Sequence, residues 1–211
     1  AWLSMGNNWT TACSTVDTQC GSAQTSTHII DALIKAGQIN IGIGAGVEVM
    51  SRVGLGANAY NGPGFFQTAD WPWDSEPDQF KMVERIVKNR NLSREDVDAF
   101  AVMSQNRAKV AWDEGRFDSQ IVQVEAPISG EDGQPTGETR LVTRDQGLRD
   151  TTMESLAGLK AITEGGVHTP GNASQISDGA AAVLMMSAEE AKARGLKPRA
   201  RIISGVVAGA D

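Results

Sequence analysis

Apolar residues recur at helical spacing in Ile29, Ile30, Leu33 and Ile34, so residues 22–37 predict a long buried amphipathic helix that Gly37 stops. Residues 39–50 are apolar and β-branched, with glycines at 42, 44 and 46, and read as a strand. A short buried strand over residues 14–18 would lead into the helix. Residues 1–5 would end an earlier helix at the turn Gly6-Asn7-Asn8. Helix 22–37 followed by strand 39–50 is half of a βαβ unit, which predicts a parallel or mixed sheet covered on both faces.

The pattern continues with a helix over residues 82–89 and another opened by Ser93, with Asp96 at the capping-box position. The second would carry Val97, Phe100, Ala101, Ala108 and Ala111 inward and stop at Gly115; its charges form a solvated face. Residues 121–126 and 139–143 read as strands joined through a turn over residues 130–137. Residues 180–186 form an apolar strand, and Ser187-x-x-Glu190 caps a helix that ends at Gly195, with Pro198 beyond it. A final strand is expected over residues 200–208.

Residues 53–80 break the pattern. Seven glycines and prolines alternate there with Tyr60, Phe65, Phe66, Trp71, Trp73 and Phe80. A loop this long is uncommon unless it covers a site or an interface. It is either a structural loop pinned by its aromatics or a lid over an apolar acyl group.

Composition narrows the function classes. With 211 residues, 40% of them apolar, the chain can bury a core. A net charge of −7 argues against nucleic acid, whose phosphates select basic surfaces. No apolar run approaches the roughly 20 residues that span a bilayer, no segment reads as a signal peptide, and two cysteines do not make a disulfide framework. A reducing cytoplasm is the expected compartment. Residues 81–149 are nearly balanced in charge, so a phosphorylated ligand there must be held by individual arginines through paired contacts.

Candidate chemistry centres on Val16-Asp17-Thr18-Gln19-Cys20-Gly21-Ser22-Ala23-Gln24. A cysteine in the first turn of a helix faces unpaired backbone N–H groups and the positive end of the macrodipole, and both favour a nucleophilic thiolate. A free cysteine is also a small hydrophobe that commonly fills a core. Cys13 has no helix behind it and reads as structural. His28, two helical turns beyond Cys20, and His168, in a loop, are the only histidines; neither reads as the catalytic base, and so few ligands make a zinc site improbable. Gly42-x-Gly44-x-Gly46 is followed by a continuing strand, not a helix, so it is no dinucleotide loop. Its glycines instead allow close approach of a helix or a ligand.

TVDTQCGSAQ, INIGIGAGVEVMSRVGLGAN and, far downstream, GNASQISDGAAAVLMMS together resemble the thiolase family, the acyl-CoA C-acyltransferases, over nearly the whole chain. The closest likeness is to degradative acetyl-CoA acetyltransferase-like members. That resemblance implies an α/β fold of layered αβαβα type. Residues 1–58 would be part of the N-terminal half with the nucleophile, 59–165 an inserted loop domain holding coenzyme A beneath an aromatic lid, and 166–211 the end of that half and the start of the next. It implies Cys20 as nucleophile, Arg149 and Ser174 as contacts to coenzyme A, and acyl-CoA and coenzyme A as substrates with no tightly bound cofactor. Asp150 could instead pair with Arg149. The complete protein would be a homodimer or homotetramer, built through the strand over residues 39–50, with no nucleic acid or membrane partner.

Many relatives carry Asn-Arg where Asp17-Thr18 stand, and a Met-Gly stretch where Lys81-Met82-Val83 stand. These departures leave the acyl specificity open, a steroid-like group included. The family's Gly-His-Pro, Asn-Glu-Ala-Phe and Cys-x-Gly-Gly-Gly motifs do not occur in these residues. The chain opens inside an apolar stretch and closes in a strand-like run, so it is expected to be an internal piece of a longer protein and inactive by itself. Two other readings share its features: a non-catalytic acyl-CoA or lipid carrier of thiolase descent, and a ketoacyl synthase.

Overall fold

The computed structural model describes residues 2–57, 70–72, 74 and 78–208. Tyr60, Phe65, Phe66 and Trp73 of the expected aromatic lid lie outside the described residues. In chain order the elements are α1 (Ser22–Lys35), β1 (Ile41–Glu48), α2 (Gln79–Arg90), α3 (Arg94–Asp113), β2 (Val124–Ser129), β3 (Pro135–Val142), α4 (Met153–Ala157), β4 (Gly179–Met186) and α5 (Ala188–Ala193). They fall into two units, one of residues 1–71 with 176–211 and one of residues 72–175.

In the first unit α1 ends where the pattern placed its stop. Gly37 adopts φ +69°, its N–H reaches the Ile34 carbonyl at 3.0 Å, and the Gln38 N–H reaches Leu33 at 3.0 Å. This is a Schellman closure, and the left-handed position favours glycine. The helix is less buried than its stripe predicted. Ile29 is 40% exposed, and no residue of α1 is fully buried.

The glycines of β1 explain how α1 sits. Gly42, Gly44 and Gly46 share one face of the strand, and that face meets Ile30, Thr27 and Ala23 of the helix. A Cβ at 46 would stand 2.5 Å from the Ala23 Cβ, and one at 44 would stand 2.9 Å from the Thr27 Cα. Two strand residues advance about 6.7 Å. Helix steps of four and three residues advance about 6 and 4.5 Å, so the two ladders stay nearly in step. Ser26 Oγ adds a polar tie, 3.2 Å from the Ala45 carbonyl.

The sheet expectation is corrected. β1 pairs antiparallel with β4, Ile41 opposite Met186 and Glu48 opposite Gly179, in a two-stranded sheet. The parallel reading took residues 14–18 as the preceding strand. Those residues form no strand and are mostly exposed, and residues 200–208 form none either. A strand exists only through a ladder to a neighbour, and neither segment has one among the described residues. Residues 3–5 make a single 3-10 turn, closed by Gly6 at φ +75°. Beyond β1, the N–H and hydroxyl of Ser51 donate to the two Asp178 carboxylate oxygens at 2.8 and 2.5 Å, which clamps the end of the strand pair.

In the second unit the helix starts follow local capping chemistry. Asp78 accepts from the N–H of Phe80 and so starts α2 at Gln79, earlier than its apolar pattern suggested. Ser93 and Asp96 form the expected reciprocal box, with Asp96 Oδ2 accepting the Ser93 N–H at 2.7 Å and Ser93 Oγ accepting the Asp96 N–H at 3.1 Å. The hydrogen bonds from Ser93 hold the Asp96 carboxyl below its ordinary pKa. β2 and β3 make an antiparallel hairpin with an irregularity between Pro127 and Ser129. The strands lie a few residues away from the expected 121–126 and 139–143, because the turn closes at residues 130–134, where the Gly130 N–H donates to the Gln134 carbonyl at 2.8 Å. α4 was not foreseen.

Replacing Gly44 with alanine should destabilise the full-length protein by about 1–3 kcal/mol, the usual cost of overpacking, because its Cβ meets helix backbone. Gly54 has open space around it and no positive φ. Gly54→Ala should therefore be neutral or slightly stabilising. Urea titrations of the two variants check this; equal destabilisation would contradict the close-approach account.

Candidate functional site

Cys20 occupies the middle of the 3-10 turn Gln19–Gly21, which runs directly into α1. Gly21 is the N-cap of α1, and no side chain caps the helix. Short hydrogen bonds fix the turn around the cysteine. The Gln19 N–H donates to Asp17 Oδ1 at 2.8 Å, the Thr18 N–H donates to Ser22 Oγ at 2.9 Å, and the Ser22 hydroxyl donates to the Gln19 carbonyl at 2.6 Å. The Thr18 and Thr25 hydroxyls are 2.8 Å apart.

Gln19 itself takes φ +53°. A non-glycine residue costs about 1–2 kcal/mol in that left-handed region, and the bonds from Asp17 and Ser22 offset the strain. The result is an elbow that presents an exposed, free cysteine at the open end of a helix. Cys13 is also exposed, its Sγ 3.7 Å from the Thr11 carbonyl, so it is not the core filler that a structural cysteine would be. His28 is half-buried in α1, with Gly205 close against its ring.

Arg149 and Ser174 belong to the second unit, and both are exposed. Neighbouring groups tie their segments together. The Arg149 N–H donates to Gln105 Oε1 of α3 at 3.1 Å, while Gln175, next to Ser174, donates to the Gly147 carbonyl at 2.5 Å. Among the described residues no ion pair joins Arg149 to Asp150, so that alternative is not realised and the guanidinium stays exposed.

The turn that leads to Ser174 is held by buried polar groups. Asn172 accepts the Thr169 N–H at 2.8 Å and donates to the Val167 carbonyl at 3.1 Å and to Asp98 Oδ1 at 2.7 Å. Asp98 is 2% exposed and is neutralised by Arg94, whose Nε lies 2.7 Å from Oδ2. Arg94 also donates to the Leu156 carbonyl at 2.6 Å and the Leu159 carbonyl at 3.2 Å. No buried charge is left unpaired in this network, which avoids the several kcal/mol that an isolated buried ion costs. Thr169 is fully buried, and Gly171 lies so close to the methyl groups of Leu156 and Leu159 that a Cβ there would collide.

Glu84 of α2 reaches the same segment. It accepts from the N–H of Val167 at 3.0 Å, the N–H of His168 at 3.1 Å and Nδ1 of His168 at 2.9 Å. Burial pushes this carboxyl up, but the bonds from His168 and Val167 outweigh it and hold the pKa below the ordinary 4.5. Sequence reasoning missed Glu84, Asp98 and Asn172. The one local signal was the i, i+4 spacing of Arg94 and Asp98; the other contacts join residues more than 70 positions apart.

The family model for the thiolase N-terminal domain matches residues 1–189. Among curated proteins, the chain is 35% identical over 211 residues to a steroid 3-ketoacyl-CoA thiolase of Mycobacterium tuberculosis, covering 96% of this chain and 49% of that protein. It is 36% identical over 216 residues to the 3-oxoadipyl-CoA/3-oxo-5,6-dehydrosuberyl-CoA thiolase of Escherichia coli, covering 93% and 52%. Among solved structures, the dimeric peroxisomal thiolase of Saccharomyces cerevisiae matches with a TM-score of 0.70 and 32% identity over 92% of this chain and 48% of that one. An acetyl-CoA acetyltransferase from Syntrophomonas wolfei matches with a TM-score of 0.70 and 29% identity, covering 93% and 50%. The fold is therefore a thiolase-like α/β fold, and the chain belongs to the thiolase family. It spans about half the length of the curated relatives it matches.

The depressed Glu84 carboxyl gives a pH dependence with a definite sign. A carboxyl with a lowered folded-state pKa contributes stability above its ordinary value and loses it as pH falls through the folded value. Glu84→Gln should therefore be less stable than the wild type at pH 7, and the gap should close as pH drops below about 4.5. Parallel denaturant titrations across that range check it; a gap that widens toward acid would contradict the assigned bonds.

Proposed function

We propose that the full-length protein is an acyl-CoA C-acyltransferase that cleaves a 3-ketoacyl-CoA with coenzyme A, or condenses two acetyl-CoA in reverse, through an acyl-cysteine at Cys20, in fatty acid or steroid side-chain degradation. The observation that carries this is the exposed cysteine on a hydrogen-bonded elbow at the uncapped start of α1, in a chain of thiolase lineage. The open N–H groups and the dipole there favour an anionic sulfur.

The Cys20 thiolate adds to the ketone carbon, and the carbon–carbon bond then breaks. Its electron pair leaves as the enolate of acetyl-CoA, which a proton quenches, while the acyl group stays on sulfur as a thioester. The thiol of coenzyme A attacks that thioester, transfers the acyl group and returns Cys20 to its thiolate, so one difficult cleavage becomes two easier steps. Backbone N–H groups at the elbow, that of Cys20 included, are suited to stabilising the tetrahedral alkoxide. Arg149 and Ser174 would contact coenzyme A, which enters as a substrate and not as a resident cofactor.

Limiting iodoacetamide near neutral pH, applied to the full-length protein, should modify Cys20 before Cys13, with acyl-CoA protecting Cys20. Cys20→Ser should lower thiolysis by about a thousandfold or more, as loss of a covalent nucleophile does. Peptide mapping and a thiolysis assay report both. If Cys13 reacts first, acyl-CoA gives no protection and the parent shows no turnover, the non-catalytic acyl-CoA carrier becomes the better reading.

We also infer that the full-length protein associates as a homodimer or homotetramer, a reading supported by the dimeric yeast relative. Light scattering should give a mass of two or four chains; a monodisperse monomer would count against it.

A further inference from the structure

The strongest unassigned feature is the reach of Glu84 from α2 into the segment that precedes Ser174. One carboxylate accepts three donors, the backbone N–H groups of Val167 and His168 and the imidazole Nδ1 of His168. Two of these three are backbone, so what the carboxylate fixes is the path of the chain. Gly166 lies directly against it, and a Cβ at that position would meet the carboxylate oxygens.

The other side of the same short segment is held by Asn172, which is itself gripped by Asp98 of α3. Residues 166–172 are thus suspended between acids on two helices, and Ser174 follows two residues later. A serine that is itself exposed and has no regular element beneath it takes its position from this suspension.

We propose that Glu84 is a positioning residue for coenzyme A binding, acting through the backbone of residues 166–172 on the site of Ser174. This rests on the proposed function, because it takes Ser174 as a contact to coenzyme A. The imidazole of His168 completes the coordination of Glu84 and is the least important of its three donors, since it fixes a side chain and leaves the chain path to the two N–H groups.

A misplaced binding segment weakens the ground state and the transition state alike, so it raises KM and leaves kcat nearly unchanged. A merely structural loss lowers the amount of active protein and so lowers the apparent kcat without moving KM.

The test measures thiolysis by the full-length wild type and three variants, with coenzyme A as the varied substrate. Glu84→Gln keeps the shape but offers an amide N–H₂ where an acceptor is needed. Gly166→Ala displaces the carboxylate without touching it, which keeps the test open if Glu84→Gln folds poorly. Both should raise KM for coenzyme A about fivefold or more, the effect of one lost hydrogen bond, with kcat within about a factor of two. His168→Asn should stay within about twofold of the wild type in both constants. Amide hydrogen exchange over residues 166–174, measured without ligand, should quicken in Glu84→Gln and Gly166→Ala and not in His168→Asn.

Unchanged KM in both Glu84→Gln and Gly166→Ala, with the wild type active, overturns the positioning role alone. His168→Asn as damaging as Glu84→Gln overturns it too, since the imidazole would then be what matters. A wild type with no turnover that depends on coenzyme A overturns the proposed function, and this inference's ligand with it; faster exchange in Glu84→Gln would then show only that the clamp exists.

Discussion

The first unit depends on α1 lying against β1 at a distance that leaves no room for a side chain at 42, 44 or 46. Close packing of this kind is unforgiving, since interiors are filled to near crystal density and a single methyl group is felt. The glycines therefore do more than permit flexibility. By meeting Ile30, Thr27 and Ala23 in turn they set the axis of the helix along the strand, and the axis sets where its first turn begins. Cys20 stands one residue before the cap of that turn. The position of the sulfur is thus fixed at one end by helix packing and at the other by the bonds that hold Gln19 in its left-handed conformation.

The second unit solves a different problem. Residues 158–175 contain no strand and no helix, yet they must present a defined surface. Without a ladder of backbone bonds, their N–H and carbonyl groups are satisfied by side chains from elsewhere: Glu84 from α2, Asp98 and Arg94 from α3, and Asn172 from within the segment. Buried charge is tolerated there because each acid has a cation or several N–H donors facing it.

What the sequence made legible was local. The helix over Ser22–Lys35, its glycine stop, the capping box at Ser93 and the strand Gly179–Met186 each rest on residues within a few positions of one another, and those readings agree with the structure. The glycines of β1 could be read as a surface for a close neighbour because a strand continued past them. Strands over residues 14–18 and 200–208 were illegible in the opposite sense: their apolar runs looked right, but a strand is a relation between two segments, and composition shows only one of them. The antiparallel pairing of β1 failed for the same reason. Glu84 was invisible because nothing near it in the chain predicts Val167 and His168 as its partners. Cys20 was conspicuous, yet its elbow could not be foreseen, since Asp17 and Ser22 are ordinary polar residues until they close around Gln19.

The pairing of β1 with β4 also orders events in time. Some 130 residues separate the two strands, and the clamp from Ser51 to Asp178 spans 127. As the polypeptide leaves the ribosome, β1 emerges with its glycine face met by α1 but with its hydrogen-bonding edge toward β4 unfilled, and it stays so until the whole of the second unit has been made. Closing so long a loop is costly for a disordered chain, but the cost falls if the intervening residues have already folded and brought their ends together. The interrupted sheet thus makes completion of the layer beneath the cysteine wait on the unit that carries Arg149 and Ser174.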